Sequence, residues 1–243
     1  MLKGWAFVAA AGISLAASAA AQDRGSDRAR ALLDQAIAAA GGRDALARHP
    51  ALLWHGTATI YAGDRKIQIE GDWQIEPPDR SKVVTFEIDK GPGSARSMVI
   101  DGTRGWSIVG GKEQPLPEAI LANERDQFYL YYVRRLEPLT RDGSTLRVIS
   151  GDNDEPGLRV SRPGRRDVDM FFDKDSHLVD RMITRITDPS SGREVLEELK
   201  FMGTIESNGV RWFHGVAILQ DRKPFFALTL SSFTTLSTLD LSR

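Results

Sequence analysis

The stretch that decides the fold runs from Lys66 to Glu76 and reads KIQIEGDWQIE. Polar residues alternate in it with an apolar set, which consists of Ile67, Ile69, Trp73 and Ile75. Successive side chains of a β-strand point to opposite faces of the sheet, so a period of two places the apolar set on one face. The pattern therefore predicts an antiparallel strand with one face in a core and the other in water.

Segments of strand length recur on both sides of this stretch, separated by clusters of turn-forming residues. They cover residues 53–61, 66–76, 81–88, 96–101, 105–109, 145–150, 158–161, 168–173, 178–187, 194–204, 212–220 and 225–233. Residues 194–200 would also suit a helix, but the short spacing of the neighbouring segments favours a strand. The sequence predicts about eleven or twelve antiparallel strands and contains no series of βαβ units for a parallel sheet.

Helical periodicity appears in two places. Residues 28–40 place apolar side chains three and four positions apart, which predicts an amphipathic helix ending at Gly41 and Gly42. Residues 43–48 add a short helical turn before Pro50. A second helical segment from Pro115 to Leu136 interrupts the strands. The predicted fold class is α+β and mainly antiparallel β.

The first residues have the features of a secretory signal peptide. Lys3 precedes an uncharged apolar run, and the run ends in the small residues Ala19, Ala20 and Ala21. The run is shorter than the ~20 residues that span a bilayer, which disfavours an uncleaved membrane anchor. We predict cleavage after Ala21, with Ala19 as the alternative site. The expected product is a periplasmic protein that is not integral to a membrane.

Domain organisation and charge follow from the same prediction. Residues 22–27 are expected to be a mobile N-terminus and residues 28–243 a single domain. The whole chain has 32 Lys and Arg against 33 Asp and Glu, and removal of residues 1–21 takes away one lysine, which leaves a net charge of −2. This charge gives no reason to expect a nucleic-acid partner. The chain has no cysteine, so disulfides and thiolate metal sites are excluded, and a monomer is expected.

Residues that carry chemistry are scattered. The histidines His49, His55, His177 and His214 occur singly, and Asp152–Glu155 lacks the glycine and the distal glutamate of a calcium loop. The sequence therefore predicts no metal site, no cofactor and no enzymatic activity. An enzyme with a site around Asp169, Asp173 and His177 remains an alternative, although no partner or pocket for these residues is evident.

Aromatic residues, in contrast, are abundant within the strands and the inserted helix. The set is Trp54, Trp73, Phe86, Trp106, Phe128, Tyr132, Phe171, Trp212, Phe213, Phe225, Phe226 and Phe233. Each ring buries ~150–250 Å² when enclosed, so the set could fill a core. It could also line an apolar pocket, because a strongly curved sheet of this many strands has more concave face than one or two helices cover.

Four stretches of the chain resemble the LolA/LolB-like superfamily, which includes the periplasmic outer-membrane lipoprotein-sorting proteins. They are AAAGGRDAL at 38–46, DGTRGW at 101–106, MFFDKDSHLV at 170–179 and NGVRW at 208–212. The resemblance implies a strongly curved, unclosed antiparallel β-barrel whose concave face is covered by helices and binds acyl chains. It identifies the fold better than the ligand, because these motifs are structural turns.

The resemblance also implies where a ligand would bind. The helical segment from Pro115 to Leu136 would act as part of a lid. The expected cavity residues are Trp73, Phe86, Trp106, Phe128, Tyr132, Leu136, Phe171 and Trp212. The predicted function is a carrier or chaperone for lipid, lipoprotein acyl chains or another apolar ligand. The alternative is an envelope sensor or interaction module that binds protein partners through the concave sheet or a strand edge.

Overall fold

The computed structural model describes the backbone of residues 11–241 and the side chains of residues 25–241. Its helices are α1 (Ala11–Ala39), α2 (Arg43–Arg48) and α3 (Glu118–Arg134). Its strands are β1 (Ala51–Ala62), β2 (Arg65–Glu76), β3 (Arg80–Glu87), β4 (Arg96–Asp101), β5 (Arg104–Val109), β6 (Lys112–Pro115), β7 (Thr145–Ser150), β8 (Pro156–Ser161), β9 (Val168–Phe172), β10 (Val179–Thr187), β11 (Glu194–Ser207), β12 (Val210–Gln220) and β13 (Lys223–Leu236).

All thirteen strands belong to one antiparallel sheet. Its order is β6-β5-β4-β3-β2-β1-β13-β12-β11-β10-β9-β8-β7, so each strand pairs with its neighbours in sequence except where β1 meets β13. The outer strands β6 and β7 do not pair with each other, which leaves the barrel unclosed. The predicted fold class is therefore confirmed: a curved, unclosed antiparallel barrel with few helices.

The structure adds detail to the predicted elements. Strand β6 is absent from the sequence prediction, and all four of its residues are exposed, so it has no alternating pattern. Residues 194–200 form part of β11, as expected. Helix α1 begins at Ala11 and runs through residues 22–27, the segment expected to be mobile. The signal-peptide prediction concerns residues 1–21, whose side chains lie outside the described residues.

The register of the strands defines the two faces of the sheet. Trp54 of β1 lies directly opposite Trp73 of β2 and Phe233 of β13, so these three rings share one face. Leu52 and Ala58 lie on the same face of β1 and are buried. This is the concave face, and it carries the main core of the protein.

Helix α3 lies against the concave face. A Cβ atom at Gly105 of β5 would come within 2.8 Å of Leu121 and 2.9 Å of Leu116, at the start of the helical segment. Gly105 lies opposite Ile100, which is fully buried on the concave face. The absence of a side chain at Gly105 therefore lets the helix approach the sheet closely.

The N-terminal helix packs at the other end of the sheet. Helix α1 contacts β7 and β8, and its buried side chains include Leu33, Ala36 and Ile37. Gly41 ends the helix with φ at +120°, and a Cβ there would overlap the Gly209 carbonyl oxygen at 1.8 Å. Only glycine fits this approach. Among the described residues, no helix is both long and apolar enough to cross a membrane.

Candidate functional site

An aromatic cluster joins helix α3 to the concave face of the sheet. The Tyr131 ring of α3 lies 5.6 Å from Trp54 and 6.3 Å from Trp212, measured between ring centroids. Phe128, one helical turn earlier, lies 6.5 Å from Tyr131 and is 4% exposed. Trp212 also stacks on Phe233 at 6.2 Å. Helix α3 thus fills the part of the concave face where the sequence predicts a ligand.

The structure brings together five of the eight predicted cavity residues. Phe128, Leu136 and Trp212 belong to the buried core on the concave side, and Trp73 and Tyr132 pack against it. The other three residues lie elsewhere.

Phe86, Trp106 and Phe171 face away from the concave side. Phe86 lies opposite Glu70, whereas the next residue of β3 lies opposite Ile69 on the concave face. Trp106 follows the inward-facing Gly105 and so points outward. Phe171 is covered by the Arg181 guanidinium, 4.2 Å from the ring centroid, and is not part of the core cluster. The structure therefore does not place these three rings with Trp212.

The most unusual residue of the site is Arg134, which is not among the cavity residues expected from the sequence. It is the last residue of α3 and is 8% exposed. Its guanidinium lies 4.0 Å from the Trp212 ring centroid, 4.5 Å from Phe201 and 5.0 Å from Phe213. Within the described part of the chain no carboxylate pairs with it, and its buried Nε has no hydrogen-bond acceptor. Burial lowers the Arg134 pKa to about 9.

The neighbouring arginine is buried in a different way. Arg135 is 4% exposed and donates hydrogen bonds to the carbonyl oxygens of His49, at 2.8 Å, and Leu46. These bonds fasten the end of α3 to α2 and the segment that follows it. Burial lowers the Arg135 pKa to about 10. Two adjacent arginines are thus equally enclosed, and only one has carbonyl partners among the described residues.

Two acidic residues lie between α3 and the wall of the sheet. Glu197 of β11 is fully buried and accepts hydrogen bonds from Gln127 of α3, at 2.7 Å, and from Gln220 of β12, at 3.0 Å. Glu124 of α3 is partly buried, and burial together with the negative charge of Glu197 raises its pKa to about 7. Burial also raises the pKa of Glu197. The helix therefore meets the sheet through ionisable groups as well as through rings.

Helix α3 carries several buried polar atoms that lack hydrogen-bond partners among the described residues. They are Asn123 Oδ1, Arg125 Nε, Tyr129 Oη and Arg134 Nε. The indole nitrogens of Trp54 and Trp212, the two rings that face Tyr131, also lack partners. Each unpaired buried polar group costs about 1–3 kcal/mol. The contact between α3 and the sheet therefore consists mainly of apolar surface, and several polar atoms buried in it lack hydrogen bonds.

The backbone turns sharply where α3 ends. Leu136 has φ at 62° and ψ at −51°, and the amide of Glu137 donates to the Arg135 carbonyl at 2.6 Å. This is a γ-turn that non-glycine residues seldom adopt, and it stores about 1–3 kcal/mol of strain. Leu136 is 1% exposed, so packing holds the turn in place. The C-terminal end of α3 is thus fixed at a strained turn, while its N-terminal end approaches the sheet at Gly105.

A small cavity opens beside Arg134. Its volume is about 140 Å³, and its walls include Phe201, Trp212, Arg211, Asp173 and Asp180. It lies at the end of the aromatic cluster, because Trp212 and Phe201 line it and also belong to the core on the concave side.

The residues of the alternative enzyme hypothesis have separate partners. Asp169 forms two hydrogen bonds of 2.6 Å with Arg159. Asp173 accepts hydrogen bonds from the amide and hydroxyl of Ser176, which lower its pKa. His177 follows in the same turn with φ at 57°. Within residues 25–241 no three His, Asp or Glu side chains are arranged to hold a metal ion.

Comparison with solved structures identifies the architecture. The chain is similar to a LolA superfamily protein from Nitrosomonas europaea, with a TM-score of 0.55 at 13% identity over 87% of this chain and 94% of that one. The chain has a LolA-like fold. A domain described as an outer membrane lipoprotein-sorting protein from Vibrio parahaemolyticus gives a TM-score of 0.53 at 10% identity over 86% of this chain and 95% of that one.

A third solved structure is also similar to the chain. A DUF1329 family protein from Desulfovibrio piger matches with a TM-score of 0.58 at 13% identity, over 87% of this chain and 95% of that one. No protein-family model matches the chain, and no curated protein matches it in sequence. At these identities the likeness concerns the LolA-like fold alone, so function has to be argued from the site.

Proposed function

We propose that the protein is a periplasmic carrier that holds an acyl chain or another apolar ligand on its concave face. Helix α3 is the segment that the ligand displaces. The observation that carries this proposal is the packing of α3, whose rings fill the concave face while its buried polar atoms lack partners. A permanent core element would have these atoms paired.

The energetics favour an exchange between helix and ligand. Enclosing an acyl chain contributes about 0.8 kcal/mol per methylene, so ten buried methylenes contribute about 8 kcal/mol. Displacing α3 exposes the Phe128 and Tyr131 rings, which costs about 2–3 kcal/mol for each. The same motion returns the unpaired atoms of Asn123, Arg125 and Tyr129 to water, which offsets part of that cost. Association itself costs about 4–15 kcal/mol in lost freedom of motion, which brings the balance close enough to zero for a chain to enter and leave.

The anchored end of α3 suggests how the helix moves. Arg135 and the turn at Leu136 hold its C-terminal end, so the N-terminal end near Gly105 would swing outward. A hinge at an element terminus is the usual arrangement for a lid.

Transport in the periplasm is supported by the predicted signal peptide of residues 1–21 and by the lipoprotein-sorting description of one structure with the same fold. Lipoprotein acyl chains are one candidate cargo among the apolar ligands. Native mass spectrometry and organic extraction of detergent-free protein from its own envelope test this proposal directly. A bound lipid or acylated peptide supports carriage. A protein that stays free of ligand, even after lipid and lipoprotein are added, contradicts it.

Substitutions can show whether ligand binding depends on the concave face or on the opposite face of the sheet. Trp73→Ser and Phe128→Ser remove rings on the concave side, and Phe86→Ser removes a partly exposed ring on the opposite face. We expect the first two changes to weaken binding of palmitate by at least about tenfold and the third to leave it unchanged. Far-UV circular dichroism checks that all three variants fold.

The absence of cysteine makes the motion of α3 measurable. Single cysteines at Ala122, which is exposed on α3, and Met202, which is 51% exposed on β11, would carry spin labels without background labelling. Added palmitate should lengthen or broaden the distance distribution between the labels. An unchanged distribution in a protein that has bound palmitate would show that α3 is not the displaced segment.

A second candidate function is supported by the two free edges of the sheet. Among the described strands, β6 and β7 each have one side without a strand partner, and such edges accept extended peptides by β-augmentation. An envelope protein segment bound at either edge would make the protein a sensor or interaction module. Co-purification of a membrane-protein domain with a ligand-free barrel would favour this function over carriage.

A further inference from the structure

We infer that the apolar ligand carries a carboxylate or phosphate group and that Arg134 binds this group in the cavity beside Trp212. This inference rests on the proposed function and names the chemical class of its ligand: an anionic amphiphile.

The Arg134 charge is costly to bury. The guanidinium is enclosed by three aromatic rings and is 8% exposed, yet no carboxylate among the described residues pairs with it. Taking a charge out of water costs several kcal/mol unless a counter-charge or hydrogen bonds compensate. Aromatic faces recover part of that cost. They leave the buried Nε–H without an acceptor, and guanidinium N–H groups are what an oxyanion binds.

Arg135 differs from Arg134 in its hydrogen bonding. Arg135 shows how this fold keeps an arginine for structural reasons, because its guanidinium donates to the His49 and Leu46 carbonyls. Arg134 performs no comparable task among the described residues. An uncharged Met or Leu would give the same packing against Trp212 and Phe201 without the desolvation cost.

The cavity beside Arg134 has the size and position of a head-group site. Whole-ligand pockets measure about 300–1,000 Å³, so a volume of about 140 Å³ suits a head group rather than a complete amphiphile. Phe201 and Trp212 line both this cavity and the core on the concave side. An anionic head at Arg134 would therefore place its chain along the surface that α3 covers.

Other charged residues also line the cavity, and their positions favour Arg134 as the residue that binds the head group. Arg211 stands at the rim but already donates to the Ala39 carbonyl at 3.2 Å and pairs with Glu206 at 3.4 Å. Asp173 is held by hydrogen bonds from Ser176 and remains charged, and Asp180 stands beside it. These two carboxylates repel an anion at the rim, whereas Arg134 attracts one at the aromatic end.

The anchored turn keeps Arg134 available during opening. Arg135 and Leu136 adjoin it in sequence and are fixed by hydrogen bonds and packing, so a swing of the N-terminal end of α3 moves Arg134 little. In the open state, one ligand can therefore place its head group at Arg134 and its chain on the concave face.

Binding of matched probes tests the inference. Laurate and dodecyl phosphate carry an anionic head, dodecanol carries the same chain without charge, and acetate and inorganic phosphate carry the charge without a chain. We expect the wild-type protein to bind laurate or dodecyl phosphate at least about tenfold more tightly than dodecanol. Acetate and inorganic phosphate should bind far more weakly than either, because they lack a chain.

The variants are Arg134→Met, Arg134→Lys and Arg185→Met, the last at an exposed arginine on another part of the sheet. Arg134→Met should abolish the preference for the charged probes, while dodecanol binding persists. Arg134→Lys should keep part of this preference. The control variant Arg185→Met should keep all of it. Equal affinity of the wild-type protein for laurate and dodecanol would overturn the inference and leave carriage intact. Failure to bind any chain-bearing probe would overturn the proposed function.

Discussion

At the residue scale, the adjacent arginines at the end of α3 have opposite consequences for stability. Arg134→Met removes a desolvated charge without leaving any described group unpaired, so we expect the free energy of unfolding to stay the same or rise by about 1–2 kcal/mol. Arg135→Met leaves the His49 and Leu46 carbonyls without their donors and should lower it by about 2–4 kcal/mol. Urea denaturation at pH 7 measures both changes.

The effect of Arg134→Met on stability depends on pH. The Arg134 pKa of about 9 in the folded protein lies below that of a free arginine, so the cost of its charge is present in full at pH 7 and falls only above pH 9. A loss of stability in Arg134→Met as large as that in Arg135→Met would show that Arg134 is a structural residue.

At the element scale, the docking of α3 should depend on pH through Glu124. The raised pKa of about 7 means that the folded state binds the Glu124 proton more tightly than the unfolded chain does. Stability is therefore highest at low pH and falls as the pH rises from about 4.5 through 7. We expect a loss of about 1–3 kcal/mol between pH 5.5 and pH 8, given that Glu124 is only partly buried.

Other groups around α3 also titrate, so the control matters. Glu197 on β11 has a raised pKa as well, and His55, whose pKa is raised by its hydrogen bond to Asp72, acts in the same direction from the opposite face. Asp126, on α3 itself, also has a pKa raised by burial. Glu124→Gln should remove the larger part of the pH dependence, and Glu197, His55 and Asp126 account for the remainder. Denaturation curves at both pH values decide the matter, and an unchanged slope in Glu124→Gln would contradict the assignment.

The approach of α3 to β5 gives a second prediction for this element. Gly105→Ala places a methyl group against the ends of the Leu116 and Leu121 side chains, so these side chains must shift, and the N-terminal end of the helix with them where they have no free space. We expect a loss of about 1–2 kcal/mol in stability and a broader distance distribution between spin labels at Ala122 and Met202. Gly93→Ala, at a position with no atom within 4 Å of the new Cβ, should change neither quantity.

The elements also show what the sequence could predict. About eleven or twelve strands were predicted, because alternation of polar and apolar residues is a local property. Strand β6 was not predicted, because all of its side chains are exposed. The sequence could not predict which face of the sheet Phe171 occupies, because the residues from Met170 to Phe172 are all apolar and show no alternation. Trp106 points outward because the helix requires a small residue at Gly105.

The sequence predicted only part of the site, because some of its contacts depend on the tertiary structure. The resemblance placed α3 over the concave face and indicated Phe128, Leu136 and Trp212, which do lie in the core there. Arg134 had no signal of its own, since an arginine at the end of a helix is normally exposed and favourable to the helix dipole. Its burial without a partner arises from how the helix end meets β11 and β12, and such tertiary contacts leave no periodic trace in a single sequence.

At the scale of the whole molecule, the sheet and the helix should have different stabilities. The central strands β1 and β13 are paired on both sides, and Trp54, Leu52 and Leu228 are almost fully buried at their junction. Helix α3 is held by rings, one Gln127–Glu197 hydrogen bond and an anchored C-terminal end. Elements with unpaired polar groups open at lower free energy than a sheet centre does.

Hydrogen exchange measures this hierarchy without any ligand. We expect the amides of residues 118–131 in α3 to be at least about tenfold less protected than those of β1 and β13, because a 17-residue helix that has left the sheet is marginally stable in water and loses its own backbone hydrogen bonds. Laurate should raise protection in β1, β12 and β13 and lower it in α3, since the chain takes the place of the helix. Equal protection of α3 and β1 would mean that the helix is a permanent part of the core. The barrel would then have no state in which its concave face is open, and a free strand edge would be the remaining surface for a partner.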